Sequence, residues 1–396
     1  MDSYNHKDKN KEKKKILILA ETYIPGVKGG GPVRSIHNLV SQLSDEYDFY
    51  IVTLDRDKGD QKKYEKVISN KWTKLDDVNV IYISPDQCNI INLAKLLNSF
   101  RYDLIYLNSF FSPVFTIIPL YLRRLGLIKK VPLVLAPRGE FSEGSLSIKG
   151  FKKQLYIKTF KTLKNHLGLT WQATSKFELE DIIKVMGQKN MPIIAPNLLE
   201  KSIHEEWIPR DKDTRSLKIL FLSRVSKMKN LEGAIKYLIN VQGNIQFNIY
   251  GPLEDQAYWD GCLKLIDELP SNITVTYKGP IENNKVNQVM KEHDIFLLPT
   301  LGENFGHVIA EAFLAGCPVV ISDRTPWKDL SSKGVGWDIA LEDEEMFRDI
   351  IQECSDMEKN EYNELSNRAY LFGQDILNND GSLLKNKELF DTAFDL

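Results

Sequence analysis

Short apolar runs alternating with helical stretches dominate this chain, and that alternation limits its fold more than any other feature. The first run, Lys15-Ile-Leu-Ile-Leu-Ala20, is continuously apolar, as in a strand buried on both faces. It ends in the turn-rich segment Glu21-Thr-Tyr-Ile-Pro-Gly26 and then Gly29-Gly30-Gly31-Pro32. Val33, Ile36, Leu39, Val40 and Leu43 follow at helical spacing. The unit repeats, with strands expected at 49–54, 78–84, 104–107, 133–136 and 168–173 and helices at 91–100, 151–163 and 177–185, after which Met191 to Ala195 leads into Pro196-Asn197. A polar stretch, 200–216, with Pro209 and the mixed-charge run Arg210-Asp-Lys-Asp-Thr-Arg215, breaks the rhythm and reads as a linker. Strands at 218–222, 246–250, 274–278, 294–298 and 318–322 then alternate with helices at 231–239, 258–268, 285–291 and 308–315. Such alternation implies mostly parallel sheets covered by helices on both faces. The expected class is α/β: two doubly wound, Rossmann-like domains facing across a cleft, with ligands at the carboxyl ends of the strands. The expected division is a disordered basic tail 1–13, a first domain 14–199, the linker 200–216, a second domain 217–375, and a C-terminal helix 376–396 packing back on the first domain.

Composition narrows the class. With 42% hydrophobic and 27% charged residues among 396, the chain is ordinary globular protein rather than disordered or fibrous. Its four cysteines, Cys88, Cys262, Cys317 and Cys354, lie far apart without a CxxC pair or a histidine at metal spacing. That argues against a zinc site or a disulfide framework and fits a reducing compartment. No apolar run approaches the ~18 residues that would cross a bilayer, and Met1 to Lys15 is lysine-rich with no apolar core behind it, so a cytoplasmic protein is expected. The net charge of −2 hides an asymmetry: residues 1–200 balance to +10 and 201–396 to −12. A basic first half suits an anionic partner such as a phosphate, a lipid head group or nucleic acid; two domains of unrelated charge would look the same.

Three segments carry candidate chemistry. In Pro299-Thr-Leu-Gly-Glu303-Asn304-Phe305-Gly306-His307-Val-Ile-Ala-Glu311, a buried strand runs into a glycine-punctuated loop and a helix begins near 304–307. Free backbone N–H groups at a helix start attract phosphate. Glu303 and Glu311, eight apart, suit hydroxyls at two ends of one extended ligand, since carboxylates bind diols with paired hydrogen bonds. From spacing alone, Glu303 as a helix cap and Glu311 as a solvated side chain is the stronger reading. In Leu222-Ser-Arg224-Val-Ser-Lys-Met-Lys229-Asn230, another strand-to-helix loop places two cations where they would neutralise a pyrophosphate, or simply sit in solvent. The Gly29-Gly30-Gly31 loop lets backbone amides approach an anion and is as readily a plain turn.

These segments resemble the retaining glycosyltransferases of GT-B fold, glycosyltransferase family 4. Glu303 through Glu311 matches their E-x7-E signature, and Arg224 through Lys229 resembles their phosphate-binding R-x4-K loop. Gly251-Pro252, Lys278-Gly-Pro-Ile281, Asp294 with Pro299, and Ala315-Gly-Cys-Pro-Val-Val320 fall in the family's order. Thr53-Leu-Asp-Arg-Asp57, Ala136-Pro-Arg-Gly-Glu140 and Thr325-Pro-Trp327 look like the subset that builds bacterial surface polysaccharides, lipopolysaccharide or capsule. The resemblance implies a nucleotide-sugar donor and a saccharide or polyprenyl-linked acceptor, with no metal and no nucleic acid. Arg224 and Lys229 would stabilise the departing nucleoside diphosphate, Glu303 would hold the transferred sugar and Glu311 the ribose. Gly30, Gly31, Gly251, Lys278, Ile281, Asn304, Phe305, Gly306 and His307 would complete the donor site. Asn304 stands where many members have glycine, and Asn108-Ser-Phe110 replaces a histidine-bearing stretch; both bear on sugar and acceptor contacts. A nucleotide-sugar epimerase of similar fold would not be expected to carry both signatures, and a silent binding subunit would not need all four charged residues.

Outside the signatures, Arg138 and Glu140 after the strand 133–136, with Asn108, are acceptor candidates or a loop salt bridge. Asp55-Arg56-Asp57 looks like the DxD metal motif of the other glycosyltransferase fold but ends a first-domain strand, away from the donor half. Between Glu143 and Glu178 there is no acidic residue, while Lys149, Lys152, Lys153, Lys158, Lys161, Lys164 and Lys176 are basic and Phe151, Leu155, Phe160 and Leu163 recur near helical spacing. The segment 149–164 is therefore expected to lie on an anionic membrane surface, making the enzyme peripheral on the cytoplasmic face. An apolar face packed on the first sheet would give the same pattern.

Overall fold

The computed structural model describes residues 12–26, 28–147, 150–189, 191–201 and 206–396. The expected tail lies outside these residues except for positions 12 and 13, as does Lys149. The first sheet comprises β1 (Lys14–Leu19), β2 (Tyr47–Leu54), β3 (Trp72–Leu75), β4 (Val78–Ile83), β5 (Leu104–Asn108), β6 (Leu133–Ala136), β7 (Thr170–Ala173) and β8 (Ile193–Ile194). Its order is β3-β4-β2-β1-β5-β6-β7-β8, parallel except where β3 meets β4. The helices that connect and cover it are α1 (Gly31–Leu43), α2 (Ile90–Asn98), α3 (Ile118–Arg124), α4 (Glu143–Ser147), α5 (Gly150–Thr162) and α6 (Lys176–Met186). β1 shows why its run is apolar throughout. Ile16 and Ile18 pack with Ile36, Leu39 and Val40 of α1, while Leu17 and Leu19 enter the opposite core with Leu93 and Leu97 of α2.

The second sheet, order β11-β10-β9-β12-β13-β14, is wholly parallel. Its strands are β9 (Ser216–Leu222), β10 (Asn244–Tyr250), β11 (Ile273–Gly279), β12 (Ile295–Leu298), β13 (Val319–Ser322) and β14 (Gly336–Ile339). Around it lie α7 (Leu231–Tyr237), α8 (Gln256–Asp267), α9 (Asn283–Lys291), α10 (His307–Leu314), α11 (Leu330–Lys333), α12 (Glu344–Asp356) and α13 (Lys359–Leu377). Where α13 crosses α10, a Cβ on Gly373 would fall 2.7 Å from the Leu314 nitrogen, so only glycine permits the approach. The last helix, α14 (Gly381–Phe394), returns to the first domain, burying Leu389, Phe390 and Ala393 in its core. Asn386 there donates to the Pro196 carbonyl at 2.8 Å.

Two segments carry detail that the sequence does not show. Within the linker, residues 206–216 are tied to the second domain by their charges. The Arg210 guanidinium donates to the His293 carbonyl, to the Ala315 carbonyl at 2.7 Å and to the Tyr362 hydroxyl at 2.9 Å. Lys212, buried, donates to the carbonyls of Asp213 and Ser355 at 3.0 and 3.2 Å. Backbone carbonyls at the ends of α10 and α12 and just before β9 and β12 take up these charges, which a count of charged residues does not reveal. In α5 the four apolar residues expected on one face part company. Phe160 is fully buried against Phe110, Tyr156 and Trp171, whereas Phe151 is 82% and Leu155 56% exposed. Near-helical spacing placed Phe151 and Phe160 together, but nine residues turn a helix through two and a half revolutions.

Candidate active site

The second-domain wall is built where β9 and β12, neighbours in the sheet, end. The Met228 carbonyl accepts from Leu301 N at 2.8 Å and from the Thr300 hydroxyl at 3.0 Å, which ties the two strand-end loops together. Asn230, in the left-handed region at φ 55°, caps α7 by accepting from Gly233 N and donates to the Pro299 carbonyl at 3.0 Å. The loops so joined bring Lys229 onto Glu303 as an ion pair, with side chains only 13% and 12% exposed. Arg224, more open, pairs with Glu254 at 2.8 Å. Gly251 sits at φ 132° with its α-carbon against the Ser223 carbonyl, which leaves no room for a Cβ. Its glycine is therefore demanded by strand packing, whatever ligand it meets. Lys278 is exposed near the end of β11, and Ile281 packs partly on the second core.

From Glu303 the chain turns into α10 through Gly306 at φ 77°, and no side chain caps the helix start. The Phe305 ring lies 4.8 Å from that of His307 and 5.6 Å from that of Trp327, whose indole N–H donates to the Phe305 carbonyl at 2.6 Å. Asn304 reaches across the cleft: its Oδ1 accepts from Thr174 Oγ1 at 3.0 Å, and its Cβ lies 3.0 Å from where a Cβ on Gly139 would sit.

Opposite stands the start of α1, capped by Gly30 at φ 59° and likewise without a side-chain cap. A Cβ on Gly31 would lie 3.8 Å from the His307 ring. Ser35 Oγ is 2.8 Å from His307 Nε2. Burial first, then Arg34 and Arg138, pushes the His307 pKa down to about 3, so the imidazole is neutral at physiological pH. Arg34 extends from α1 to Glu311 on α10, forming an ion pair, and to Asn283 Oδ1 at 2.7 Å. Burial raises the Glu311 carboxyl above its ordinary range and Arg34 opposes that rise. Two uncapped helix starts, one per domain, thus meet beside Arg34. That arrangement offers backbone N–H groups, aligned dipoles and a cation to an anionic ligand. Arg34, Ser35, Asn283 and Glu254 were missed at the sequence level. Arg34's one clue is its place in the first turn after a glycine loop.

The first-domain strand ends turn inward instead. Arg138, at φ 57°, donates to Asn108 Oδ1 at 2.7 and 3.1 Å, to Asn197 Oδ1 at 2.6 Å and to the Tyr106 hydroxyl at 2.6 Å. Glu140 accepts from Ser109 Oγ at 2.7 Å and from the amides of Phe110 and Phe111 at 2.6 and 3.1 Å. Burial raises its carboxyl, and those three donors resist the rise. Among the described residues neither makes the loop salt bridge weighed above; both brace loops. Glu178, buried and unanticipated, accepts from Gly139 N at 2.6 Å and from Thr174 N and Oγ1 at 2.8 and 2.7 Å. It follows the N-cap Ser175 by three, the capping-box spacing, but reaches back to Thr174. Asp55 is buried with Arg56 at 2.8 Å and Ser69 Oγ at 2.7 Å, and Asp57 is buried two residues on.

Residues 204–372 match the family model "Glycosyl transferases group 1". A 41.2 kDa protein of the cps region of Klebsiella pneumoniae is 24% identical over 336 residues, spanning 81% of this chain and 84% of that protein. Among solved structures, Anabaena HepE in complex with UDP and glucose superposes with a TM-score of 0.71 at 16% identity, covering 97% of this chain and all of that one. WaaG, a glycosyltransferase involved in lipopolysaccharide biosynthesis, gives 0.62 at 13% identity, over 95% and 98% of the two chains. The chain is a glycosyltransferase of GT-B architecture whose second half carries a group 1 glycosyltransferase domain.

Proposed function

We propose that this glycosyltransferase takes its sugar from a nucleotide-sugar donor, retains the anomeric configuration and needs no metal ion. Its acceptor is a saccharide or polyprenyl-linked saccharide in bacterial surface polysaccharide synthesis. The observation that carries the reading is the Lys229–Glu303 pair at the threshold of α10, with Arg224 on the same loop. As the bond from the anomeric carbon to the diphosphate breaks, negative charge grows on the departing phosphate oxygens. Lys229, Arg224 and the first amides of α10 would meet it, which is the leaving-group work a divalent ion would otherwise do. Glu303 would hold hydroxyls of the transferred sugar, and Glu311 would serve the ribose. UDP and glucose in HepE support trying uridine donors first. Incubation with a panel of labelled nucleotide sugars in excess chelator should yield anomer-retained transfer product. Transfer only after Mg²⁺ or Mn²⁺ is restored overturns metal independence, and an epimerised sugar or binding without turnover overturns the reading itself.

The same reading places the enzyme on the cytoplasmic face of the membrane. Among the described residues no helix is long and apolar enough to cross one. Exposed Phe151 and Leu155 stand on α5 among Lys152, Lys158 and Lys161, and Leu125 and Leu127 are exposed on the loop after α3. Arg124 bonds Asn165 Oδ1 at 2.7 Å, which joins that loop to the end of α5. Each lysine near anionic head groups is worth about 1 kcal/mol, so the protein should sediment with anionic vesicles at low salt and leave them in 1 M salt. Equal sedimentation with neutral vesicles would show the lysines to be merely solvated.

A further inference from the structure

Glu311 is bonded on one side only. Oε1 accepts from Arg34, while Oε2 is buried and accepts no hydrogen bond among the described residues. A buried carboxylate oxygen without a donor is costly unless a ligand supplies one. The cation that holds Oε1 belongs to the other domain, on α1, and is itself steadied by Asn283 of the second domain at 2.7 Å. We propose that Arg34 is a positioning residue for Glu311: it orients the carboxylate so that Oε2 is presented to the ribose diol, which makes hydroxyl recognition conditional on the two domains meeting. The proposal rests on the nucleotide-sugar reading of the donor and adds to it a residue from the opposite wall.

The electrostatics agree with the geometry. Glu311 faces Arg34 on α1, Glu200 beyond β8, and His307 one turn earlier on its own helix. Burial and Glu200 favour the protonated acid, and Arg34 favours the carboxylate. His307 is held neutral and supplies no second cation. Without Arg34, Glu311 would therefore drift toward the protonated form, with one acceptor oxygen fewer and no fixed orientation.

Wild type, Arg34→Gln and Arg34→Lys are titrated calorimetrically with UDP, ADP and GDP, and then with the 2′- and 3′-deoxy forms of whichever binds. Wild type should prefer the ribose form by roughly 10-fold or more, the worth of a hydrogen bond to a charged acceptor. In Arg34→Gln that preference should collapse and partly return as pH rises, while Arg34→Lys should keep part of it. Equal weakening of ribose and deoxyribose forms in Arg34→Gln, with the preference intact, overturns the proposal and leaves Arg34 a phosphate contact or a domain tie. Should Arg34→Gln not fold, Arg34→Lys decides alone: a preference below wild type supports the proposal, and an unchanged one overturns it. If none of the three diphosphates binds wild type, the donor reading fails and this proposal with it.

Discussion

On the second-domain wall of the cleft, charged side chains at the strand ends pair with one another and stay within reach of a ligand: Lys229 with Glu303, Arg224 with Glu254. On the first-domain wall the equivalent positions fold back into their own loops. Arg138 is held by Asn108, Asn197 and Tyr106, Glu140 by Ser109 and two amides, and Glu178 by Gly139 and Thr174. One wall is a set of charges arranged for something that arrives; the other is a set of loops shaped from within. Substitutions on the second wall should therefore cost activity before stability, and those on the first should cost stability before activity.

The contrast is most exposed at Lys229. Lys229→Ala should lower kcat/KM roughly 10²- to 10³-fold, the scale for removing one group that stabilises transition-state charge. Arg224→Ala should do less, because its side chain is 41% exposed and screened by water. Steady-state rates with the donor found by the panel settle the matter, and wild-type kcat/KM in Lys229→Ala would remove the second wall from the chemistry. The mirror experiment is Glu178→Ala. It strands the part-buried Gly139 amide and the buried Thr174 amide and leaves the Thr174 hydroxyl to Asn304, for about 2 kcal/mol or more, and in a domain of this size should lower Tm by about 4 to 8 °C. Binding of nucleoside diphosphate, measured well below the transition, should stay near wild type. A Tm within about 1 °C of wild type would mean the first wall is not built from within.

The same contrast governs what could be read in advance. β6 falls at 133–136 as expected, and β9, β10 and β12 within two residues, because buried parallel strands leave uninterrupted apolar runs between turn residues. The second wall was legible too, since its charges follow strand ends at fixed spacings. β3 was not, being a half-exposed, antiparallel edge strand, Trp72-Thr-Lys-Leu75, without an apolar run. Nor was the work of Arg138, Glu140 and Glu178. A polar residue that braces a loop looks the same in sequence as one that faces a ligand, and only the partner, here as far as 59 residues away, separates them. Arg34 escaped for a related reason: its partner lies 277 residues on, in the other domain.

His307 tests the seam between the walls, with the smallest effect. It belongs to the second wall but rests on Ser35 of the first, and its imidazole feels Arg34 and Arg138, both first-domain cations. Its pKa, about 3 folded against ~6.5 for an unperturbed histidine, makes protonation costly in the folded state. A depressed folded pKa contributes stability in full above pH ~6.5 and loses it as pH falls toward 3, so the unfolded chain gains the proton first. Between pH 7 and pH 5 that loss comes to about 2 kcal/mol. Denaturant midpoints should accordingly fall more steeply with acid in wild type than in His307→Gln, which keeps a hydrogen-bonding group for Ser35 but cannot titrate. Carboxylates elsewhere titrate alike in both proteins and cancel in the difference. Removing first-wall charge by Arg34→Gln should also flatten the wild-type slope, because one of the two cations opposing the imidazolium is gone and Glu311, without Arg34, takes up protons more readily in the folded state. Parallel slopes in wild type and His307→Gln would mean that solvent reaches the ring, and that the two walls do not close on it as tightly as the Ser35 contact implies.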